Sequence, residues 1–316
     1  MKEFIIKRND ENQRVDKFLQ KSVPRLPKTL LYKYIRIKRI KLNSKRCTPE
    51  TKLALGDKLE LYINDEFFSQ DKKLAFLSAP KNLNVVYEDE NILLVNKPKG
   101  LVVHDDDKNS PDTLIDRVLH YLYDKRDYSP ENELSFVPAL CNRIDRNTSG
   151  IVIVAKTAEA LRILNDKIKH REITKRYLCV VHGVPKKKHD TLVHFHTKNE
   201  QTKTVKVTNK KTGNSKTMIT EYTVLKSKNN FSLLEVNLKT GRTHQIRAQM
   251  AHIGHPLLGD GKYGINADDR KKGYASQVLC AYKITFDFAT DAGELNYLKG
   301  KSHCVDFSDN AMTLFN

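Results

Sequence analysis

The chain has 316 residues, which is long enough for two domains. Its 56 Lys and Arg residues outnumber its 38 Asp and Glu residues, giving a formal net charge of +18. An excess of this size favours a polyanionic partner, nucleic acid before a membrane surface, because cations that neutralise phosphates release bound counterions. The alternative is a general enrichment in lysine without such a partner.

The five cysteines lie far apart and include no CxxC pair, which argues against a disulfide framework and a zinc ribbon. Cysteines that are far apart and unpaired in this way are typical of proteins in a reducing compartment. The N-terminus has no apolar signal-like stretch, and no apolar span reaches about 18 residues, the length that suggests a membrane helix. We therefore expect a cytoplasmic protein with no membrane contact.

Residues 1–11 are predicted to form a short lead-in strand, and residues 12–63 a small basic domain. This domain has a helix that opens near Arg14, a second helix from about Lys28, a short strand after it and a final alternating strand that ends at Ile63. The first helix has three apolar residues on one face and ends at two prolines; these are Val15, Phe18, Leu19, Pro24 and Pro27. Residues 12–63 contain 14 Lys and Arg against 4 Asp and Glu, a net charge of +10. A basic surface this concentrated indicates RNA or DNA binding.

Residues 12–63 resemble the S4 RNA-binding domain, whose first helix opens RxDxFL and whose final strand follows Gly-Asp. Here the helix opens RVDKFL and the strand follows Gly56-Asp57. The family usually has Gly where this chain has Lys38, and a left-handed conformation at a lysine would cost about 1 kcal/mol. The resemblance implies that this domain binds RNA. The candidate contact residues are Arg14, Lys33, Arg36 and Arg39.

Residues 64–83 mix charged residues, Ser and Pro with Phe67 and Phe68, and are predicted to be a linker that partly docks. A second domain, residues 84–316, opens with two strands joined by an acidic turn and ended by Lys-Pro-Lys-Gly. Three aspartates follow at 105–107. Because no second ligand cluster accompanies them, a solvated loop is favoured over a divalent-metal site.

The stretch 142–156, NRIDRNTSGIVIVAK, places the carboxylate of Asp145 between Arg143 and Arg146. The apolar run after it has the length and β-branched content of a strand, so the charged residues lie in the loop that leads into this strand. A carboxylate beside cations stays ionised and can act as a nucleophile or a base. The alternative is a surface ion-pair cluster that caps a strand.

An amphipathic helix is predicted after Thr157, a polar and strand-poor region at 185–217, and an alternating strand at 231–238. His194 and His196 share one face of a short alternating segment. Since no third ligand lies nearby, a surface strand is favoured there over a metal site.

A helix is predicted to open at Thr243 and to stop at Gly254, with Ile246, Met250 and Ile253 as its buried stripe. The glycine-rich loop after it lacks GKS or GKT and is not a P-loop. Antiparallel-type strands with helices inserted between them indicate the α+β class.

Four motifs resemble those of the RluA-type pseudouridine synthase family and follow in the same order. They are NKPKGLVVH at 96–104, NRIDRNTSGIVIVAKT at 142–157, KRYLCVVHG at 175–183 and LKTGRTHQIRAQMAHIGHPLLGDGKYG at 238–264. An S4 domain in front of them is the arrangement of the branch that modifies large-subunit ribosomal RNA. The resemblance implies an α+β protein in which a small α/β S4 domain precedes a catalytic domain with a mixed, mainly antiparallel sheet and an active-site cleft across it.

The resemblance also implies residue roles. Asp145 matches the catalytic aspartate, Tyr177 the aromatic residue that packs against the target base, and Arg247 the arginine that pairs with the catalytic carboxylate. Arg143 matches the side chain that fills the space left by a flipped-out nucleotide. Further RNA contacts are expected from Lys97, Arg146, Arg242 and His244, although Arg146 has the alternative role of holding the loop.

The implied reaction detaches uracil from C1′, rotates it and rejoins it through C5, without a cofactor or metal. The sequence does not distinguish three roles for Asp145: attack on C1′, attack on C6, or removal of the C2′ proton. The expected substrate is structured RNA, above all 23S ribosomal RNA or a ribosomal precursor, modified by a monomer. Alternatives are pseudouridylation of tRNA and a non-catalytic ribosome-assembly factor on the same fold; a metal-dependent nuclease is disfavoured because its ligand set is missing. The chain departs from the family pattern at Asn142, Asn147 and Cys280.

Overall fold

The computed structural model describes residues 1–68, 74–105, 112–199 and 204–316. Its first 63 residues, here called the N-terminal unit, form a four-stranded antiparallel sheet with two helices. The elements are β1 (Lys2–Ile5), α1 (Val15–Ser22), α2 (Lys28–Arg36), β2 (Ile40–Leu42), β3 (Lys45–Arg46) and β4 (Lys58–Leu61), and the strand order is β1-β4-β2-β3. Because β1 pairs with β4, the sheet includes residues that precede the expected start at residue 12.

The two helices of the N-terminal unit differ in what the sequence explains: the spacing of apolar residues accounts for α1, and a left-handed residue follows α2. The predicted apolar face of α1, Val15, Phe18 and Leu19, is fully buried in the core of this unit. The helix α2 ends at Arg36, and two residues later Lys38 has a φ of 63°, in the left-handed region. The amide of Arg39 then donates to the carbonyl of Tyr34 at 2.9 Å, which is the bond of a Schellman motif. Lys38 therefore adopts the conformation for which the S4 family uses Gly.

The remaining residues, from 74 onward, form the C-terminal unit around an 11-stranded sheet. Its strands are β5 (Val85–Glu88), β6 (Ile92–Lys97), β7 (Ala139–Leu140), β8 (Ser149–Ala155), β9 (Ile173–His182), β10 (His189–Asn199), β11 (Thr204–Thr208), β12 (Lys216–Lys228), β13 (Phe231–Leu238), β14 (Leu279–Phe286) and β15 (Ser302–Cys304). The helices are α3 (Leu114–Asp124), α4 (Ala158–Lys169), α5 (Gln245–His252) and α6 (Ala267–Lys271). Among the described residues, no helix is both long and apolar enough to cross a lipid bilayer.

The sheet order is β11-β10-β12-β13-β9-β14-β8-β6-β5, with β15 beside β14 and β7 beside β8. Among the described strands only β8 and β14 pair in parallel. The predicted α+β class and the mixed, mainly antiparallel sheet are thus confirmed.

The strand β8 contributes side chains to two hydrophobic cores, one on each face of the sheet. Successive side chains of a strand point to opposite faces. Ile151 and Ile153 accordingly pack in one cluster with Leu164 of α4, whereas Val152 and Val154 pack in another with residues of α3. Both faces are covered, which is why the run Ile151 to Ala155 is apolar without alternation.

The region 185–217 was predicted to be strand-poor, and this prediction is wrong. The strands β10, β11 and the start of β12 lie there and pair antiparallel with each other. These strands expose Lys and Thr on one face but bury Leu192, Val205 and Met218. A few buried apolar residues, together with pairing between strands, are therefore sufficient to form strands in a polar region.

The two units are joined by a linker and by direct contacts. Phe67 and Phe68 pack against the N-terminal core, and Phe76 is buried in the C-terminal unit. Leu134 of the C-terminal unit also packs against the N-terminal core. The side chain of Asn9 accepts a hydrogen bond at 3.1 Å from the amide of Ala158, the first residue of α4. The N-terminal unit therefore contacts the larger unit through both apolar and polar groups.

Candidate active site

Asp145 lies in the loop that joins β7 to β8, here called the catalytic loop (residues 141–148). The loop is held by its own backbone, since the amide of Thr148 donates to the carbonyl of Asp145 at 3.0 Å. Gly150 follows with a φ of 113°, and an added Cβ would lie 2.3 Å from the carbonyl oxygen of Ala281 on β14. Only glycine allows this close approach, which fixes where the loop emerges from the sheet.

Arg247 is the direct partner of Asp145. It is the third residue of α5, and its Nη1 lies 3.0 Å from Oδ2 of Asp145. The Asp145 side chain is 29% exposed and that of Arg247 is 9% exposed. Two residues that are far apart in sequence thus meet at the mouth of the sheet, as the family resemblance implied.

A second carboxylate, Asp260, lies behind Arg247. Its oxygens accept Nε and Nη2 of Arg247 at 2.7 and 2.8 Å. Burial alone would raise the pKa of Asp260, but the Arg247 guanidinium and two backbone amides hold it below its usual value. Burial would lower the pKa of Arg247, but the two carboxylates together raise it. Asp260 carries no predicted role; the only sequence signal for it is its position between two glycines, just after a buried Leu-Leu pair.

Tyr177 lies on β9 and is 6% exposed. Burial raises the pKa of its phenol, and the charge of Asp145 acts in the same direction. The phenol therefore stays protonated at neutral pH. It can pack against a ring or donate a hydrogen bond, but it has no phenolate oxygen to act as a base, and its raised pKa makes it a weaker acid than an exposed tyrosine.

His244 precedes α5 in a left-handed conformation, with a φ of 51°. The helix begins at Gln245, two residues later than predicted, because the left-handed backbone of His244 interrupts the helical conformation. The Gln245 side chain accepts the Arg242 amide at 3.0 Å. Nδ1 of His244 lies 2.8 Å from the hydroxyl of Tyr263, whose ring lies over the Arg247 guanidinium. Burial lowers the pKa of His244, an effect that the charge of Asp145 partly opposes. His244 thus borders the site as a partly buried imidazole.

Three arginines that were predicted to contact RNA lie at the surface around Asp145 and Arg247. Arg143 and Arg146 are exposed on the catalytic loop, on either side of Asp145. Arg242 is exposed before α5, and its Nε donates to the carbonyl of Thr217 at 3.2 Å. These positions leave cationic groups at the rim of the site.

Lys97 does not lie at this rim. Its side chain is fully buried, and Nζ donates to the carbonyls of Pro98, Leu101 and Arg146 at 2.8, 2.8 and 2.9 Å. Burial lowers the pKa of Lys97 to about 7. The prediction that Lys97 contacts RNA is therefore wrong in this structure, because its donors are used to tie the catalytic loop to the turn after β6.

The basic candidates of the N-terminal unit fall into two groups. Lys33, Arg36 and Arg39 are exposed on and just after α2. Arg14 instead donates to both oxygens of Asp16 at 3.0 Å. Its guanidinium therefore holds the start of α1 and is less free to bind phosphate.

The described residues hold no group of three or more His, Cys, Asp or Glu side chains arranged as metal ligands. His194 instead contacts Gln249, with Nδ1 at 3.0 Å from the amide nitrogen. Asp106 and Asp107 of the aspartate run lie outside the described residues.

Comparison with known proteins identifies the family. A family model for RNA pseudouridylate synthase matches residues 91–252. A ribosomal large subunit pseudouridine synthase C of Buchnera aphidicola subsp. Schizaphis graminum is 35% identical over 259 residues, which cover 80% of this chain and 77% of the relative. A Mycoplasma genitalium protein, named an uncharacterized RNA pseudouridine synthase, is 35% identical over 290 residues, 90% of this chain and 88% of the relative.

The solved structure of human RNA pseudouridylate synthase domain containing 1 superposes with a TM-score of 0.56. It covers 75% of this chain and 86% of the human one at 23% identity, so this likeness supports the fold. The family match, the two relatives and the four motifs together lead to one conclusion. The chain belongs to the RNA pseudouridylate synthase family, in its RluA-type branch, and is an RNA pseudouridine synthase.

Proposed function

We propose that this enzyme converts specific uridines of large-subunit ribosomal RNA to pseudouridine, with Asp145 as the catalytic carboxylate. The contact between Asp145 and Arg247 carries the proposal, because it places a carboxylate beside a guanidinium at a partly open site. The ribosomal RNA substrate is supported by the Buchnera relative, which is named a ribosomal large subunit pseudouridine synthase. We further propose that the enzyme acts in the cytoplasm as a monomer.

The geometry of the contact between Arg247 and Asp145 allows Asp145 to act as a nucleophile or a base. Arg247 engages Oδ2 of Asp145, and no described residue donates a hydrogen bond to Oδ1. An electron pair on Oδ1 is thus available for C1′ or C6 of the uridine, or for the C2′ proton. When the bond from N1 to C1′ breaks, its electron pair stays on the uracil, which turns and forms a new bond from C5 to C1′. Any bond that Asp145 has made to the substrate breaks again with its electron pair returning to the carboxylate. C5 then loses its proton and N1 takes one up, so the product is an isomer of the substrate.

Tyr177 and Arg143 complete the proposed site. Because the phenol of Tyr177 is buried and protonated, it serves to pack against the uracil ring. Arg143 is exposed next to the carboxylate, where its planar guanidinium can stack in the vacancy left by the flipped nucleotide. Such stacking offsets part of the few kcal/mol, in order of magnitude, that unstacking a base costs.

We propose that residues 12–63, with β1, act as an S4 RNA-binding domain and that residues 84–316 form the catalytic domain. The exposed side chains of Lys33, Arg36 and Arg39 support this assignment. They place positive charge on one helix and the turn after it, where it can neutralise RNA phosphates.

The test is tritium release from RNA that contains [5-³H]uridine. Wild-type enzyme is expected to release tritium in the presence of a chelator, and Asp145→Asn is expected to lower the rate by more than about 1,000-fold, because removal of a nucleophile leaves only binding effects. Unchanged release by Asp145→Asn would contradict the role of Asp145. Chemical mapping of pseudouridine in ribosomal RNA and tRNA from a deletion strain would identify the substrate, and loss confined to tRNA would contradict the ribosomal assignment.

A further inference from the structure

Arg247 contacts two carboxylates, and the two contacts differ in kind. Its Nε and Nη2 donate side by side to the two oxygens of Asp260, at 2.7 and 2.8 Å, whereas Nη1 alone reaches Asp145 at 3.0 Å. A two-point contact between planar groups fixes the plane of the guanidinium as well as its position. The Asp260 contact therefore determines the direction in which Nη1 points.

We propose that Asp260 is a positioning residue for the pseudouridine synthase reaction. It orients Arg247 so that a single N–H holds one oxygen of Asp145 and the other oxygen stays free for the substrate. This inference rests on the proposed catalytic role of Asp145.

Asp260 is able to act in this way because its own position is fixed. Its side chain is 0% exposed. Oδ1 accepts the amides of Lys262 and Tyr263 at 2.9 and 3.3 Å, so the carboxylate is held by its own loop. The loop in turn is anchored by Asp269 of α6, which accepts the amide of Gly259 at 2.8 Å. The orientation of Arg247 is thus set by a loop that is held by these hydrogen bonds, and not by the catalytic loop.

The alternative arrangement of Arg247 shows why this orientation matters. A guanidinium without a second partner tends to bind a carboxylate through two parallel N–H groups. In that arrangement Arg247 would engage both oxygens of Asp145 and occupy the one that the reaction needs. Asp260 prevents this because it uses the edge of the guanidinium formed by Nε and Nη2.

The primary variant is Asp260→Asn, which keeps the shape of the side chain but cannot accept both N–H groups of Arg247. A reacting group displaced by about 1 Å loses about 100-fold in rate, so we expect kcat to fall by about 100-fold. KM for RNA should change by less than about threefold, because the RNA contacts at the rim are not altered. Asp260→Ser, whose hydroxyl can still accept the Lys262 or Tyr263 amide, should show the same loss of kcat.

Glu172→Gln is the matched control. Glu172 is also a buried carboxylate that pairs with a cation, Lys167, and accepts two backbone amides, those of Ala289 and Thr290, but none of these partners belongs to the loop around Asp260. We expect its kcat to stay within about threefold of the wild-type value even if its melting temperature falls, because the active-site groups keep their geometry.

A double-mutant cycle separates positioning from a general effect on the fold. In an Arg247→Lys background, the lysine cannot form the two-point contact, so Asp260→Asn should lower kcat by less than about threefold further. Two results would overturn the proposal: folded Asp260 variants with wild-type kcat, or an equal loss from Asp260→Asn in both backgrounds. If instead the wild type released no tritium, or Asp145→Asn were fully active, the proposed function itself would fail.

Discussion

At the scale of single residues, Lys97 holds the catalytic loop from within the protein. All three of its N–H donors have carbonyl acceptors, one of which belongs to Arg146 of the catalytic loop. The amide of Gly100 donates to the same Arg146 carbonyl at 2.9 Å. A buried cation is tolerated only when its donors are satisfied in this way. Lys97 thus supports the loop that presents Asp145, although it cannot reach RNA itself.

Replacement of Lys97 by Met should therefore destabilise the protein. Met fills similar space but leaves three carbonyls with fewer partners, and we expect a loss of about 2–4 kcal/mol in the free energy of unfolding. Lys99→Met, which removes a partly exposed pair with Asp309, should cost less than about 1 kcal/mol. Urea denaturation followed by circular dichroism measures both. A Lys97→Met protein as stable as Lys99→Met would contradict the structural role.

Part of the site could be predicted from the sequence. The family motifs identified Asp145 and Arg247, which the structure brings into contact. The buried partners could not be predicted in the same way. Lys97 is the last residue of β6 and precedes Pro98, a pattern typical of an exposed turn, and its three acceptors depend on the three-dimensional path of the chain. Asp260 gave only the weak signal of an acidic residue between glycines.

At the scale of elements, the end of α2 carries a strained backbone. Lys38 has a φ of 63°, where an L-residue with a Cβ costs about 1–2 kcal/mol. Glycine removes that cost, but it also increases the entropy of the unfolded chain by about 0.4–1 kcal/mol. Lys38→Gly should thus raise the free energy of unfolding by up to about 1 kcal/mol.

Lys38→Ala is the control, because it removes the charged group but keeps the Cβ. It should give no gain in stability, and thermal melting of the two variants distinguishes loss of strain from loss of charge. Equal melting temperatures for the two variants would show that the left-handed backbone is not the source of strain.

The elements that the sequence predicted are those with strong local periodicity. The helix α4 begins after Thr157, whose side chain accepts the Ala160 amide at 3.1 Å, and its apolar face packs on the sheet as predicted. The strands β10 to β12 were missed because their stability comes from pairing with each other, which no short window of sequence contains. The start of α5 was placed too early because the left-handed His244 is set by the fold around it.

At the scale of the whole molecule, the excess of positive charge is concentrated in the N-terminal unit. Deletion of this unit would also remove the core against which Leu134 packs and the Asn9 side chain that contacts the start of α4. Charge-removing substitutions are therefore a cleaner test of RNA binding than truncation.

The triple variant Lys33→Ala, Arg36→Ala, Arg39→Ala should weaken RNA binding and reduce its dependence on salt. Each lost phosphate contact lowers the slope of log K against log salt by about 0.7–0.9, so we expect a decrease of about 2–3. A control that replaces three exposed lysines of the C-terminal unit, Lys169, Lys299 and Lys301, removes the same charge and should change the slope less. Fluorescence anisotropy over a salt series measures both; equal slopes for the two variants would contradict a specific RNA-binding face on α2.

The ion cluster of Asp145, Arg247 and Asp260 has a further consequence for the substrate. It contains two carboxylates and one guanidinium, a formal net charge of −1, whereas Arg143 and Arg146 make the rim of the site positive. A phosphodiester group is attracted to the rim and repelled by the carboxylates, which are screened less in a partly buried site than in bulk water. An uncharged nucleobase meets no such barrier. For the proposed reaction, we therefore expect this charge pattern to admit the uncharged base and to keep the phosphates of the same nucleotide outside.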